Sequence, residues 1–329
     1  MDPQQRVHWN RAPGWAALRL RRPRLAVVGC GDVGRRIVAR LSARLPVLAT
    51  HRAWEQAASL RALGARPMHL DLDGSAPPAG ARRREQRARA RLRSADTVFA
   101  LFPPPPHGRG DPRARRLAHL LAGAPRSQRL VYVSTSGVYG DRGGAWLNEA
   151  TPPSPSNDRA WRRLAAEQSL RSAPLHARVL RVPGIYDAAR LPLERLRSGL
   201  PAPAAGEDGY TNHIHADDLA RALLAAMARG APRRIYHAAD DLPLTVGAYL
   251  DCVADHHGLP RPPRAGGREL AGALGEARMS FLRESRRLDN GRLKHELRLR
   301  LNWPSVPAFL AGMPAPAGDQ ASNSPSTER

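Results

Sequence analysis

The sequence predicts an α/β protein built on a doubly wound parallel sheet, with a small C-terminal part attached to it. Three observations lead to this. The stretch Leu25–Val38 runs from apolar residues into a glycine cluster and then into an amphipathic pattern, which reads as strand, tight turn and helix. Short apolar runs then alternate with helical patterns, as parallel strands joined by right-handed crossovers would. With 329 residues, the chain is long enough to bury a large core.

The elements follow in order. Leu25–Val28 is the first strand, and Val33 to Arg44 the first helix. Between them Gly29-Cys30-Gly31-Asp32-Val33-Gly34 fits the G-x-G-x-x-G dinucleotide fingerprint. In that pattern Gly29 makes the turn, Gly31 admits a pyrophosphate and Gly34 packs helix on strand. Pro46–Arg52 reads as the second strand, Trp54–Leu63 as a helix, and Gly64–Asp73 as a third strand ending in a loop. Ala81–Arg93 is an arginine-rich helix with a solvated face, and Asp96–Phe102 a fourth strand stopped by Pro103–Pro106. A helix over Asp111–Ala122 is capped by Asp111, with Pro112 in its first turn. Arg129–Thr135 is the fifth strand. Beyond it the pattern predicts helices over 158–170, 216–228 and 245–256, and strands over 177–182 and 234–237.

Composition narrows the function. The formal net charge is +23, which invites a nucleic-acid reading. Yet Lys294 is the only lysine, and so strong a skew to arginine, with abundant Ala, Pro and Gly, reads as the coding bias of a GC-rich, bacterial genome. No RNA-binding aromatic signature or zinc-finger spacing accompanies the charge, so specific nucleic-acid binding is not expected. No apolar run is long enough to span a bilayer, and the N-terminus lacks the apolar core of a signal peptide. The two cysteines, Cys30 and Cys252, fit a reducing cytosol, and a cytoplasmic location is expected. Cys30, inside the glycine turn, reads as a small filler.

From Val133-Ser134-Thr135-Ser136-Gly137-Val138-Tyr139-Gly140 onward the chain resembles the extended short-chain dehydrogenase/reductases, the epimerase/dehydratase branch. Glu149-Ala150-Thr151-Pro152, Ala165-Ala166-Glu167, Leu180–Tyr186 and His213–Ala220 match further pieces of that family in the same order. The resemblance spans about Leu25 to Trp303 and implies a Rossmann-like nucleotide domain. It also implies that Asp71 and Leu72 meet the adenine, that Leu101, Phe102 and Pro103 lie over the ribose and phosphates, and that Pro183 stands beside the nicotinamide.

The cofactor choice follows from the end of the second strand. NAD sites place a carboxylate there for the ribose 2′-hydroxyl. This chain has Thr50-His51-Arg52 and no acid before Glu55. Arg52 suits a 2′-phosphate, so NADP(H) is expected over NAD(H).

The resemblance also implies a Tyr-x-x-x-Lys pair on the long helix, and this chain lacks it. With Glu167 as the anchor of the alignment, Arg159 stands in the tyrosine place and Arg163 in the lysine place. No tyrosine lies between Tyr139 and Tyr186. Arginine keeps its proton near neutral pH and cannot act as the missing acid/base, although it can hold a carboxylate or phosphate. Thr135 matches the residue that orients substrate. Tyr139, Tyr186 and His213 are the candidates for a relocated acid/base, with Tyr186 and His213 also placed at the substrate. His213 and His215 would share a strand face, but no third ligand lies near, so no metal is expected. Asp218 is expected to cap the helix after it.

Four segments are expected: a basic disordered arm at 1–22, the nucleotide domain at 23–183, a mainly substrate-binding part at 184–312 with elements returning to the sheet, and a disordered tail at 313–329. The partner is an unidentified small molecule, with a homodimer as the candidate assembly. Three functions compete: an oxidoreductase or epimerase with non-standard catalytic residues, an NADP(H)-binding regulatory or redox-sensing module, and a nucleic-acid-associated protein, which only the charge favours.

Overall fold

The computed structural model describes residues 24–74, 79–125, 127–172 and 176–314. The arm expected at 1–22 and the tail from residue 315 lie outside the described residues. Seven parallel strands form the central sheet: β1 (Leu25–Val28), β2 (Val47–His51), β3 (Arg66–His69), β4 (Thr97–Ala100), β5 (Arg129–Thr135), β6 (Arg178–Val182) and β7 (Ile235–His237). Their order across the sheet is β3-β2-β1-β4-β5-β6-β7, so the chain winds outward in both directions from β1 and β4.

Both faces of the sheet are buried because successive side chains alternate sides. Leu25 and Val27 of β1 enter one core, while Ala26 and Val28 enter the other. In β5, Val131 joins the first core, and Leu130 and Tyr132 the second. Helices α1 (Asp32–Leu41) and α6 (Ala216–Arg229) cover the first face. The second is covered by α3 (Ala79–Arg93), α4 (Pro112–Leu121) and α5 (Asp158–Ser172). The short helix α2 (Gln56–Ala62) links β2 to β3. Asp111 caps α4 as the sequence indicates, accepting from the Ala114 amide at 2.9 Å behind Pro112.

The remainder is built from ladders two or three residues long. Gly184–Tyr186 pairs with His213–His215, Ala202–Pro203 with Arg264–Ala265, and Tyr210–Thr211 with Leu244–Thr245. Helix α7 (Val246–His256) packs there over a separate apolar cluster that includes Tyr186, Leu250, Val306 and Phe309.

One expectation is corrected. Asp218 does not cap α6; His215 does, its Nδ1 accepting from the Asp217 amide at 3.2 Å. Asp218 lies in the first turn, fully buried, and its carboxylate accepts from the amides of Asn302 and Trp303 at 2.8–3.1 Å. A carboxylate at that depth binds a distant loop to the helix.

The sheet also encloses an ion pair. Glu167 of α5 and Arg181 of β6, 1% and 2% exposed, meet at 2.7 Å. Ser134 of β5 donates to the same carboxylate at 2.5 Å. Removing one member of a buried pair strands the other charge, at a cost of about 3–5 kcal/mol. Arg181→Met is therefore expected to lower the free energy of urea unfolding by about that much, and Glu167→Gln added to it should recover part of the loss. A single variant as stable as wild type would contradict this account.

Candidate functional site

Two cavities open along the C-terminal edge of the sheet. The first, about 320 Å³, sits where β1 and β4 diverge. In open α/β sheets that divergence is where ligands bind. Gly29, Gly31, Arg52, Asp71, Leu72 and Leu101 all line it, so six of the residues singled out from sequence share one wall. Phe102 and Pro103 line it too.

The glycines have separate reasons. Gly29 adopts φ +84°, and a Cβ there would lie 2.6 Å from the Phe102 amide nitrogen, so the turn between β1 and α1 closes only on glycine. Gly34 packs α1 on β1: a Cβ would meet Val27 Cγ1 at 3.1 Å and Cys30 Sγ at 3.2 Å. At Gly31 an added Cβ meets nothing within 4 Å. Gly31 is also the N-cap of α1 and brings no capping side chain, so the first-turn amides of Asp32, Val33 and Gly34 have no capping oxygen. Such an end attracts anions. The Asp32 carboxylate is turned to Arg36 at 3.1 Å and Arg190 at 3.0 Å. Val33 packs against the first core. Cys30 is buried, which pushes its thiol up to about 11 and makes it a filler.

Basic side chains sit at the mouth. Arg52 is 70% exposed and reaches Asp73 at 3.2 Å. Arg113, which the sequence reading did not single out, grips both oxygens of Asp73, and this holds the carboxyl below its ordinary range.

The second cavity, about 340 Å³, lies off the ends of β5 and β6. Thr135, Arg159, Pro183 and His213 line it together. Arg163 is on neither wall. Its guanidinium donates to the carbonyls of Phe102 and Val133, each at 3.2 Å, and to the Tyr132 hydroxyl at 3.1 Å, joining the ends of β4 and β5. Arg195, Tyr249, Phe281 and Arg286 complete the second wall. Arg195, Tyr249 and Phe281 come from three helices of the C-terminal part and Arg286 from the loop before Arg287–Leu288, and no motif marks them.

Two tyrosines are not on that wall. Tyr139 is fully buried, and its hydroxyl is spent on His237 Nε2 at 2.6 Å. Tyr186 is 1% exposed and packs among His213, His215 and Phe309. Burial raises the pKa of both hydroxyls, so neither is poised for proton exchange. His213 alone among the three candidates faces the cavity. It is 5% exposed, its Nδ1 has no partner among the described residues, and burial lowers its pKa to about 4, so it is neutral.

No protein-family model matches the chain, and no curated protein does. Solved structures do match. A functionally unknown conserved protein from Silicibacter pomeroyi is 30% identical, with a TM-score of 0.73 over 88% of this chain and 97% of that one. A dTDP-glucose 4,6-dehydratase from Streptomyces venezuelae, solved with NAD, is 21% identical, with a TM-score of 0.67 over 88% and 94%. A UDP-N-acetylglucosamine 4-epimerase from Bacillus cereus is 16% identical, with a TM-score of 0.65 over 88% and 98%. The last two share the fold.

Burial lowers the pKa of His213 and His237 to about 4 in the folded chain, against about 6.5 for an exposed imidazole. Between those pH values the unfolded chain binds more protons, so stability falls as pH drops. Each unit of separation is worth about 1.4 kcal/mol. The melting temperature is expected to fall from pH 7 to pH 4.5, and less steeply in His213→Gln; parallel slopes in the two proteins would remove His213 from the account.

Proposed function

We propose that the chain is a member of the extended short-chain dehydrogenase/reductase superfamily and acts as an NADP(H)-dependent oxidoreductase or epimerase with non-standard catalytic residues. The observation that carries this reading is the cavity where β1 and β4 part. Open space beside Gly31 and a helix start without a capping side chain suit a pyrophosphate. Asp71, Leu72 and Leu101 supply the wall for the nucleoside. Arg52, with Arg113 beside it, gives a 2′-phosphate a cationic partner and is the reason to prefer NADP(H).

A bound nicotinamide would give or take a hydride. The chain's residues would do the rest. Pro183 and Thr135 line the adjoining cavity, and we assign Thr135 to orienting the substrate oxygen. Arg163 keeps the ends of β4 and β5 together and cannot exchange its proton near neutral pH. We assign proton exchange to His213, the one of the three candidates on that wall, whose Nδ1 has no partner among the described residues. A second reading, an NADP(H)-binding sensor without turnover, is favoured by the withdrawal of Tyr139 and Tyr186 from that wall. Hydride transfer to a panel of carbonyl compounds separates the two.

A Cβ at residue 31 meets nothing within 4 Å, so Gly31→Val should fold as wild type and lose NADP(H) binding by calorimetry. Unchanged binding would remove the nucleotide from this cavity. A charge-assisted hydrogen bond is worth about 1.5–3 kcal/mol, so Arg52→Ala should weaken NADP(H) by about tenfold to a hundredfold and leave NAD(H) within a few-fold. Equal losses for both cofactors would refute the 2′-phosphate assignment.

A further inference from the structure

We propose that the second cavity receives the oxyanion group of a small substrate, a carboxylate or a phosphate, and that Arg159 is the residue that holds it. This rests on reading that cavity as the substrate site. Arg159 is half-buried on its wall and, among the described residues, makes no hydrogen bond or ion pair. Among the described residues its close partner is the Phe281 ring, 3.5 Å from the guanidinium carbon to the ring centroid.

The nearby carboxylate does not serve it. Glu284 also lines the cavity, but one oxygen accepts from Ser156 Oγ at 2.5 Å and Asn157 Nδ2 at 2.9 Å, and the other from Arg286 at 2.9 Å. Arg195, the third guanidinium on the wall, donates to the Pro201 carbonyl and has no acid. Three fixed cations thus face one spent carboxylate. Glu284 attracts Arg159 through space, but burial and the charges of Arg162 and Arg286 act against it, and an anion in the cavity relieves a half-buried cation with no acid of its own.

Polar groups for the rest of a small molecule are present. The unpartnered Nδ1 of His213 belongs to a side chain 95% buried on the same wall (5% exposed), and Thr135 stands at the end of β5. Burial lowers the pKa of Arg159, yet a guanidinium has so high a starting value that it stays charged. A planar fork with free donors suits carboxylate and phosphate alike.

Calorimetry on the full chain with inorganic phosphate and with malonate tests this, since the two probes separate the sources of the oxyanion. Saturable binding of at least one is expected, weakening as salt rises. Arg159→Met should reduce it at least about tenfold, with Arg159→Lys in between and NADP(H) affinity within twofold of wild type. Absent binding, or equal binding by Arg159→Met, would overturn the proposal. Should Arg159→Met not fold, phenylglyoxal labelling of the wild-type chain gives an independent answer. Phosphate or malonate should shield Arg159 and spare Arg52, and equal labelling with and without the probe would also overturn it. If wild type binds the probe through Arg159 but binds neither pyridine nucleotide, the cofactor assignment fails and this one stands.

Discussion

Glu167 and Arg181, sealed between α5 and β6, fix how the long helix lies on the sheet. With Ser134 they pin it to two strands at once, through bonds of 2.5–3.1 Å. Residues four apart share a helix face. Arg163, one turn before Glu167, is thereby delivered to the ends of β4 and β5, and Arg159, one turn further, to the wall of the second cavity. A rotation of α5 would lose the buried pair, the strand-end bonds and the cavity cation together. Arg181 also stacks 4.7 Å over Tyr139, whose hydroxyl bonds to His237 of β7. The same pair therefore supports the outer edge of the sheet.

The two cavities divide the edge of the sheet by topology. Where β1 and β4 part, two loops leave in opposite directions and expose backbone. The Gly29 turn, pressed against Phe102, keeps that opening narrow. Off β5 and β6 no such divergence exists, so the second cavity needs walls from elsewhere. The helices and short ladders of the C-terminal part supply them, held by buried bonds such as Asn212 to the Arg286 carbonyl and Asp218 to the Trp303 amide. The first site is a property of the sheet, and the second belongs to the segment added to it.

That difference explains what could be read from the chain. All seven central strands were legible, those such as β1 and β4 because strands buried on both faces are continuous apolar runs, and the edge strand β3 from its place between a helix and a loop. The glycine turn was legible because a positive φ at Gly29 and close packing at Gly34 allow few other residues. Ladders two residues long carry no periodicity, so Tyr210–Thr211 and Arg264–Ala265 left no trace. Arg159 was found by counting back from Glu167. Arg195, Phe281 and Arg286 were not, since only the fold brings them near it. A motif places Tyr139 in the chain and says nothing of where its hydroxyl goes, and Asp218 looked like a cap because local sequence does not reveal a bond to Trp303.

The arginine excess bears on the chemistry as well as on the composition. In a chain of net charge +23 an unpaired arginine is ordinary at the surface, where water screens it. The informative ones are those drawn inward. Arg181 has Glu167, Arg286 has Glu284 and Arg113 has Asp73, while Arg162, Arg163, Arg178 and Arg195 donate to backbone carbonyls, so each has an acid or a carbonyl to hold it. Arg159 breaks that pattern on a cavity wall, and it does so beside a histidine that burial keeps neutral. A guanidinium cannot cycle its proton, but it can fix an anion in place. The face of α5 is thus built to hold charge, and any proton that moves at this site must move through a neighbour.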